Sequence, residues 1–119
     1  MATGSATVFV VGDLTASVAY YRDALGYEVT FVYGEPTYYV CLCRDEVGLH
    51  LIAATATQRL AGQGALCLFV EDVDTVHAEL VGRGAKVLKA PRDYAYGMRE
   101  FDVRDLDGNE LIFSRTTGS

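Results

Sequence analysis

The apolar positions of this chain fall into two series that repeat one another. Val8-Phe9-Val10-Val11 and Cys67-Leu68-Phe69-Val70 are short runs with both alternating sets apolar, as in strands covered on both faces. Each run ends at an aspartate, Asp13 or Asp72, and the period then changes. Leu14, Val18, Tyr21 and Leu25 are spaced four, three and four apart, which predicts one apolar helical stripe with Asp13 as its N-cap. Val73, Val76 and Leu80 predict a second helix, opened by Asp72 or Asp74. Gly26 and Gly84 close the two helices as glycines able to turn left-handed.

Three strands fit after each helix. They run Glu28–Tyr33, Thr37–Arg44 and Gly48–Ala53 in the first half, and Lys86–Lys89, Arg99–Arg104 and Glu110–Ser114 in the second. Asp107-Gly108-Asn109 reads as a hairpin turn, because glycine and asparagine accept positive φ. Residues 54–64 read as a linker. The order of parts is therefore β-α-β-β-β twice, an α+β chain of one domain over residues 1–119, with module one near 5–54 and module two near 64–115. One helix covers only one face of a module's sheet. The other face must be covered by the partner module, a second chain or a ligand.

Bulk properties narrow the class. At 119 residues and 50% hydrophobic content the chain can bury a core without a metal or disulfide staple. No apolar run approaches a membrane span, and the first five residues do not read as a secretory signal, so a cytoplasmic protein off the membrane is expected. The net charge of −6 repels nucleic acid and favours a cationic ligand, although the same surplus also serves plain solubility. Cys41, Cys43 and Cys67 form no Cys-x-x-Cys pattern and read as reduced thiols. No phosphate-binding glycine loop, Ser-His-Asp order or basic stripe is present.

Several motifs together carry a family resemblance. They are Val11-Gly12-Asp13-Leu14 with Tyr20-Tyr21-Arg22-Asp23-Ala24-Leu25-Gly26-Tyr27, then Tyr96-Gly97-Met98-Arg99-Glu100-Phe101, then Arg104-Asp105-Leu106-Asp107-Gly108-Asn109. The chain resembles the vicinal oxygen chelate superfamily of glyoxalases, bleomycin resistance proteins and ring-cleaving dioxygenases. Its length and Gly97-to-Phe101 run are most similar to the bleomycin resistance branch. The resemblance implies a concave mixed sheet with helices on its outer face, and a homodimer with ligand clefts between halves of different chains. It also implies sequestration of a drug-like compound without chemistry on it.

In metal-using members each module supplies ligands from its first and last strands. The matching positions here are Ala6, Ala65, His50 and Ile112. A catalytic metal takes about three protein ligands, and only His50 has a donor atom. The expected reading is thus a binding protein with no metal and no cofactor. The rival is a lyase, isomerase or dioxygenase with an atypical metal site built from His50, Glu100 and Glu110. A third is a domain that binds another protein through its open sheet.

Strand alternation assigns the cavity face. With Ala6 and Ala65 on it stand Val8, Val10, Cys67, Phe69, His50, Glu110 and Ile112. Glu100 and Asp102 join them if Phe101 and Val103 are core. There the acids need a cationic ligand or a pairing arginine, of which Arg44, Arg99 and Arg104 are candidates. Among the tyrosines of the strands and of the loop before Gly97, Tyr39 and Tyr96 are expected to face a flat ligand. The candidate site is therefore Tyr39, His50, Cys67, Phe69, Tyr96, Glu100, Asp102 and Ile112. His77 is expected on the exposed side of the second helix.

Overall fold

A computed structural model describes residues 1–118. The elements are β1 (Ala6–Val11), α1 (Leu14–Asp23), β2 (Glu28–Gly34), β3 (Thr37–Arg44) and β4 (Val47–Ala53), then β5 (Ala65–Phe69), α2 (Val73–Arg83), β6 (Lys86–Asp93), β7 (Met98–Arg104) and β8 (Glu110–Thr116). The two βαβββ modules are present, but as two four-stranded sheets, β1-β4-β3-β2 and β5-β8-β7-β6, with no ladder joining them among the described residues. Each sheet is mixed, because β1 and β4, and β5 and β8, run parallel while the other pairs are antiparallel.

Local chemistry explains the helices. The Asp13 carboxylate accepts from Ala16 N at 3.0 Å, and Asp72 accepts from Thr75 N at 3.1 Å, so each aspartate satisfies a free amide of the first turn. Asp74, the alternative cap, lies inside α2. Gly84 caps α2 in the left-handed conformation at φ 90°. Gly26 does not cap α1: the helix ends at Ala24, and Gly26 turns the chain two residues later at φ 75°.

Two expectations about strands change. The strand Lys86–Lys89 runs on to Asp93 despite Pro91, because β6 is an edge strand and its register shifts between Lys89 and Arg92. Asn109 does not need positive φ, and Gly108 alone takes it in that turn, at φ 102°. Asn109 contributes its side chain instead.

Both helices and one face of each sheet share a single core. It contains Phe9, Val11, Tyr21, Leu25, Leu49, Leu51, Val73, Leu80, Phe101, Val103, Leu111 and Phe113. His77 belongs against this core rather than in solvent. It is half-buried, with its ring edge-on to Phe101 at 5.2 Å. The reason is its spacing, four after Val73 and three before Leu80, which puts it on the apolar stripe.

A set of polar contacts locks the modules together, among them Tyr20 Oη, which donates to Arg104 O at 2.7 Å and accepts from Lys86 N at 2.8 Å. Asp105, only 1% exposed, accepts from Tyr21 Oη, from the amides of Asp107, Gly108 and Asn109, and from Asn109 Nδ2. Asn109 in turn donates to Val10 O at 3.1 Å and accepts from Gly64 N at 2.8 Å. Across the junction, Arg44 makes a bidentate pair with Glu79 at 2.6 and 3.0 Å and donates to Leu25 O. The linker is pressed against the fold. A Cβ on Gly62 would stand 2.1 Å from Asp107 O, and one on Gly64 would stand 2.5 Å from the Phe9 ring.

Candidate functional site

The register places the candidate residues in rows across each sheet. In the first sheet, Val8, His50 and Cys41 are direct neighbours, with Phe31 beyond Cys41. The next row is Val10, Ile52, Tyr39 and Tyr33. In the second sheet the corresponding rows are Cys67, Ile112, Asp102 and Lys89, then Phe69, Ser114, Glu100 and Arg92. These residues occupy the face opposite the core set Phe9, Val40, Leu49, Leu51, Phe101, Val103, Leu111 and Phe113, because strand side chains alternate.

The first sheet brings Tyr39 and His50 together. Tyr39 Oη lies 2.8 Å from His50 Nδ1, and the rings meet edge-on at 5.4 Å. This bond fixes the orientation of the imidazole and leaves Nε2 for another partner. Burial and the nearby Cys41 thiol push the Tyr39 hydroxyl above the usual tyrosine value. Phe31 and Tyr33 lie beside this pair, exposed and stacked at 6.4 Å.

The second sheet is acidic where the first is neutral. Glu100 accepts from Tyr96 Oη at 2.7 Å and from Ser114 Oγ at 3.1 Å. That bond pushes the Tyr96 hydroxyl up to about 12. Asp102 is buried, and burial raises its carboxyl above the ordinary aspartate value while Lys89 pulls it down. Cys67 is exposed, yet partial burial, Glu100 and Asp102 raise its thiol, which opposes thiolate chemistry there. Phe69 is 77% exposed. Tyr94 and Tyr96 stack at 5.2 Å, with the Arg92 guanidinium over Tyr94 at 4.7 Å.

The arginines proposed as partners for the two acids are engaged elsewhere. Arg44 holds Glu79, Arg99 holds Asp74 and Asp93, and Arg104 lies 3.7 Å from Glu110. Asp102 instead has Lys89, with its Nζ at 3.9 Å.

The residues do not fit a catalytic metal of the resembled kind. The positions are filled by Ala6, Ala65, His50 and Ile112, a set with one donor atom among four side chains. The atypical set fares no better within one chain. His50 stands on the first sheet, Glu100 and Glu110 on the second, and no three His, Cys, Asp or Glu side chains gather as a metal group among the described residues. Two hollows lie at the module junction, one of about 430 Å³ lined by Gly26, Glu28, Cys43, Arg44, Glu79 and Arg83, and a more enclosed one of about 100 Å³ lined by Arg44, Val47, Leu68, Phe69, Val76 and Phe113. The larger has the volume of a ligand pocket, roughly 300–1,000 Å³, but none of the candidate residues lines it. The candidate rows mix exposed rings, Phe31, Tyr33 and Phe69, with the buried Val10, Asp102 and Ser114. No helix among the described residues is long and apolar enough to cross a membrane.

Sequence reasoning missed Asp105, whose signal is the Asp-x-Asp-Gly-Asn order in which a first aspartate caps the following amides. It also missed Ser114 and Lys89, which enter the site only through strand register.

The arrangement of the modules coincides with a known family. Residues 5–113 match the model of the Glyoxalase/Bleomycin resistance protein/Dioxygenase superfamily. This chain belongs to that superfamily. A glyoxalase/bleomycin resistance protein from Catenulispora acidiphila DSM 44928 is 30% identical, with 95% of this chain and 97% of that chain covered, at a TM-score of 0.75. The bleomycin-binding protein from bleomycin-producing Streptomyces verticillus, solved with copper(II)-bleomycin, is 26% identical, covers 100% and 98% of the two chains, and has a TM-score of 0.78. A superfamily member from Sphaerobacter thermophilus DSM 20745 shares the fold at a TM-score of 0.81, with 22% identity and coverage of 96% and 97%. No curated protein matches the sequence.

Proposed function

We propose that this superfamily member is a metal-independent binding protein that sequesters a planar or amphipathic small molecule, as an antibiotic-resistance protein does. The observation that carries the reading is a pair of open sheet faces rich in flat side chains, at whose metal-ligand positions stand Ala6, Ala65 and Ile112. Phe31, Tyr33, Phe69 and Tyr96 offer ring surface, and the Tyr39–His50 pair offers an oriented polar contact. The Streptomyces bleomycin-binding protein supports a ligand of this type.

The cleft in this reading is completed by a second copy of the chain in a cytoplasmic homodimer, which covers faces that one chain leaves open. The edge strand β2 supports it, because Val29, Phe31, Val32 and Tyr33 are all more than a third exposed.

Isothermal titration against bleomycin, anthraquinones and aromatic cations tests the reading. Binding by at least one class is expected, weakened roughly tenfold in His50→Ala by loss of a polar anchor. Silence across the panel would sink it. Elemental analysis of protein purified without chelator provides an independent check. A stoichiometric metal that is lost in His50→Ala would replace this reading with an enzymatic one.

A further inference from the structure

The hydrogen-bonding sense of the one histidine on the first sheet can be read from its neighbour. Tyr39 and His50 stand on the paired strands β3 and β4, and Tyr39 Oη lies 2.8 Å from His50 Nδ1. Two arrangements satisfy that distance. Either the hydroxyl donates to a bare Nδ1, or a protonated Nδ1 donates to the hydroxyl oxygen. Among the described residues neither side chain has another hydrogen-bond partner. A protonated Nδ1 would leave the half-buried hydroxyl without an acceptor for its own hydrogen and Nε2 as a bare acceptor, two open groups. A bare Nδ1 takes the hydroxyl hydrogen and leaves one open group, the Nε2 proton. The imidazole nitrogen is also the better acceptor of the two atoms, and the phenol the better donor. Burial and the Cys41 thiol push the hydroxyl above the usual tyrosine value, so it keeps its hydrogen to donate.

The rows around the pair hold no carboxylate to take the Nε2 proton. The His50 row consists of Val8, His50, Cys41 and Phe31, and the next of Val10, Ile52, Tyr39 and Tyr33. Neither row holds a lysine or an arginine either, so the imidazole is the polar anchor of this face.

We infer that Tyr39 holds His50 in the tautomer with its proton on Nε2, so that the first sheet presents an N–H donor and selects compounds that place an oxygen acceptor, a carbonyl or carboxylate, against it. The inference rests on the binding reading above and adds the hydrogen-bonding group that the ligand must offer. In that role His50 sets specificity, and Tyr39 is a positioning residue that acts through it. A site built to donate discriminates against an analogue without the acceptor, because its donor is then left unpaired.

Three flat tricycles of one skeleton test it: fluorenone with a carbonyl, carbazole with an N–H at the matching position, and fluorene with neither. Titrated into the full-length protein in mildly alkaline buffer, fluorenone binds roughly five- to tenfold more tightly than fluorene, the worth of one hydrogen bond, and carbazole no more tightly than fluorene. His50→Ala removes the preference and Tyr39→Phe reduces it. A long-range proton–nitrogen correlation spectrum of the free protein reads the tautomer itself, with His50→Ala assigning the signals against those of His77, the other histidine. A proton on Nε2 is expected, with exchange between the two nitrogens appearing in Tyr39→Phe. A proton fixed on Nδ1, carbazole bound more tightly than fluorenone, equal binding of all three, or a preference that survives His50→Ala overturns the inference while binding itself stands. Silence of the three while other panel compounds bind does the same. If nothing binds, the binding reading falls and takes this inference with it.

Discussion

The two modules share a frame and differ in what they hang on it. Row for row, Val8, His50 and Cys41 of the first correspond to Cys67, Ile112 and Asp102 of the second. The pairing Tyr39–His50 has no counterpart, because Glu100 and Ile112 occupy those positions. The turns differ as sharply. β3 and β4 are joined by Asp45 and Glu46, both at positive φ, 50° and 67°, in a tight exposed turn. β7 and β8 are joined by the Asp105–Asn109 segment, which is bonded to the core and to module one. Backbone hydrogen bonding and apolar alternation fix the frame, whereas open-face side chains are free to diverge because the core does not use them. The rows of the first module carry neutral side chains, and those of the second carry the acids Asp102 and Glu100.

The largest expected effect breaks this comparison at the turns. Asp105→Ala removes an acceptor of five hydrogen bonds inside the fold and is expected to cost about 3–5 kcal/mol in urea or guanidinium unfolding. Asp45→Ala, in the corresponding turn of module one, is expected to cost no more than about 1 kcal/mol, since Asp45 is exposed, its contact with Arg44 is 3.5 Å, and only the poorer fit of alanine at φ 50° counts against it. Equal losses in the two variants would show the turns to be equivalent.

A smaller effect tests the seam between modules. Glu79→Gln weakens the bidentate pair with Arg44, at an expected cost of roughly 1–2 kcal/mol at neutral pH, the Glu79 side chain being about a third exposed. The hydrogen bonds from Arg44 hold the Glu79 carboxyl below the ordinary glutamate value. A depressed folded-state value stabilises above the ordinary one, and that contribution disappears as pH falls through the lowered value. The wild-type advantage over Glu79→Gln should therefore be complete near neutrality and shrink in acid. Denaturant midpoints across that range check it, and an advantage that grew in acid would contradict the assignment.

The smallest effect runs the other way. Replacing Asp45-Glu46 by Asn-Gly supplies residues that accept positive φ at both turn positions. A gain of about 1 kcal/mol is expected in the unfolding midpoint.

The frame was legible in the sequence because its causes are local. The caps Asp13 and Asp72 stand where a strand run gives way to a helical stripe, and the alternation in Val8–Val11 and Phe101–Val103 identifies the core face. What escaped had distant causes. Charge alone makes Arg44 a candidate partner for Glu100 or Asp102, but its partner Glu79 is 35 residues away on the other module. Lys89 reaches Asp102 only through a register that shifts between Val87 and Lys89. His77 is a different matter, since its spacing from Val73 and Leu80 carried the signal and its polarity hid it. For the candidate site, the face was readable residue by residue. How the two sheets lie was not, because strand patterns say which way a side chain points and nothing about where two sheets meet.

Connectors are ordinarily the segments that absorb insertions and cuts. The linker here is an exception, since at Gly62 and Gly64 the chain passes where not even a methyl group fits. The join that makes two modules one protein has become the least exchangeable stretch of it. Splitting the molecule there to obtain its halves would cut through a packed contact, and each half would lose part of its own interior.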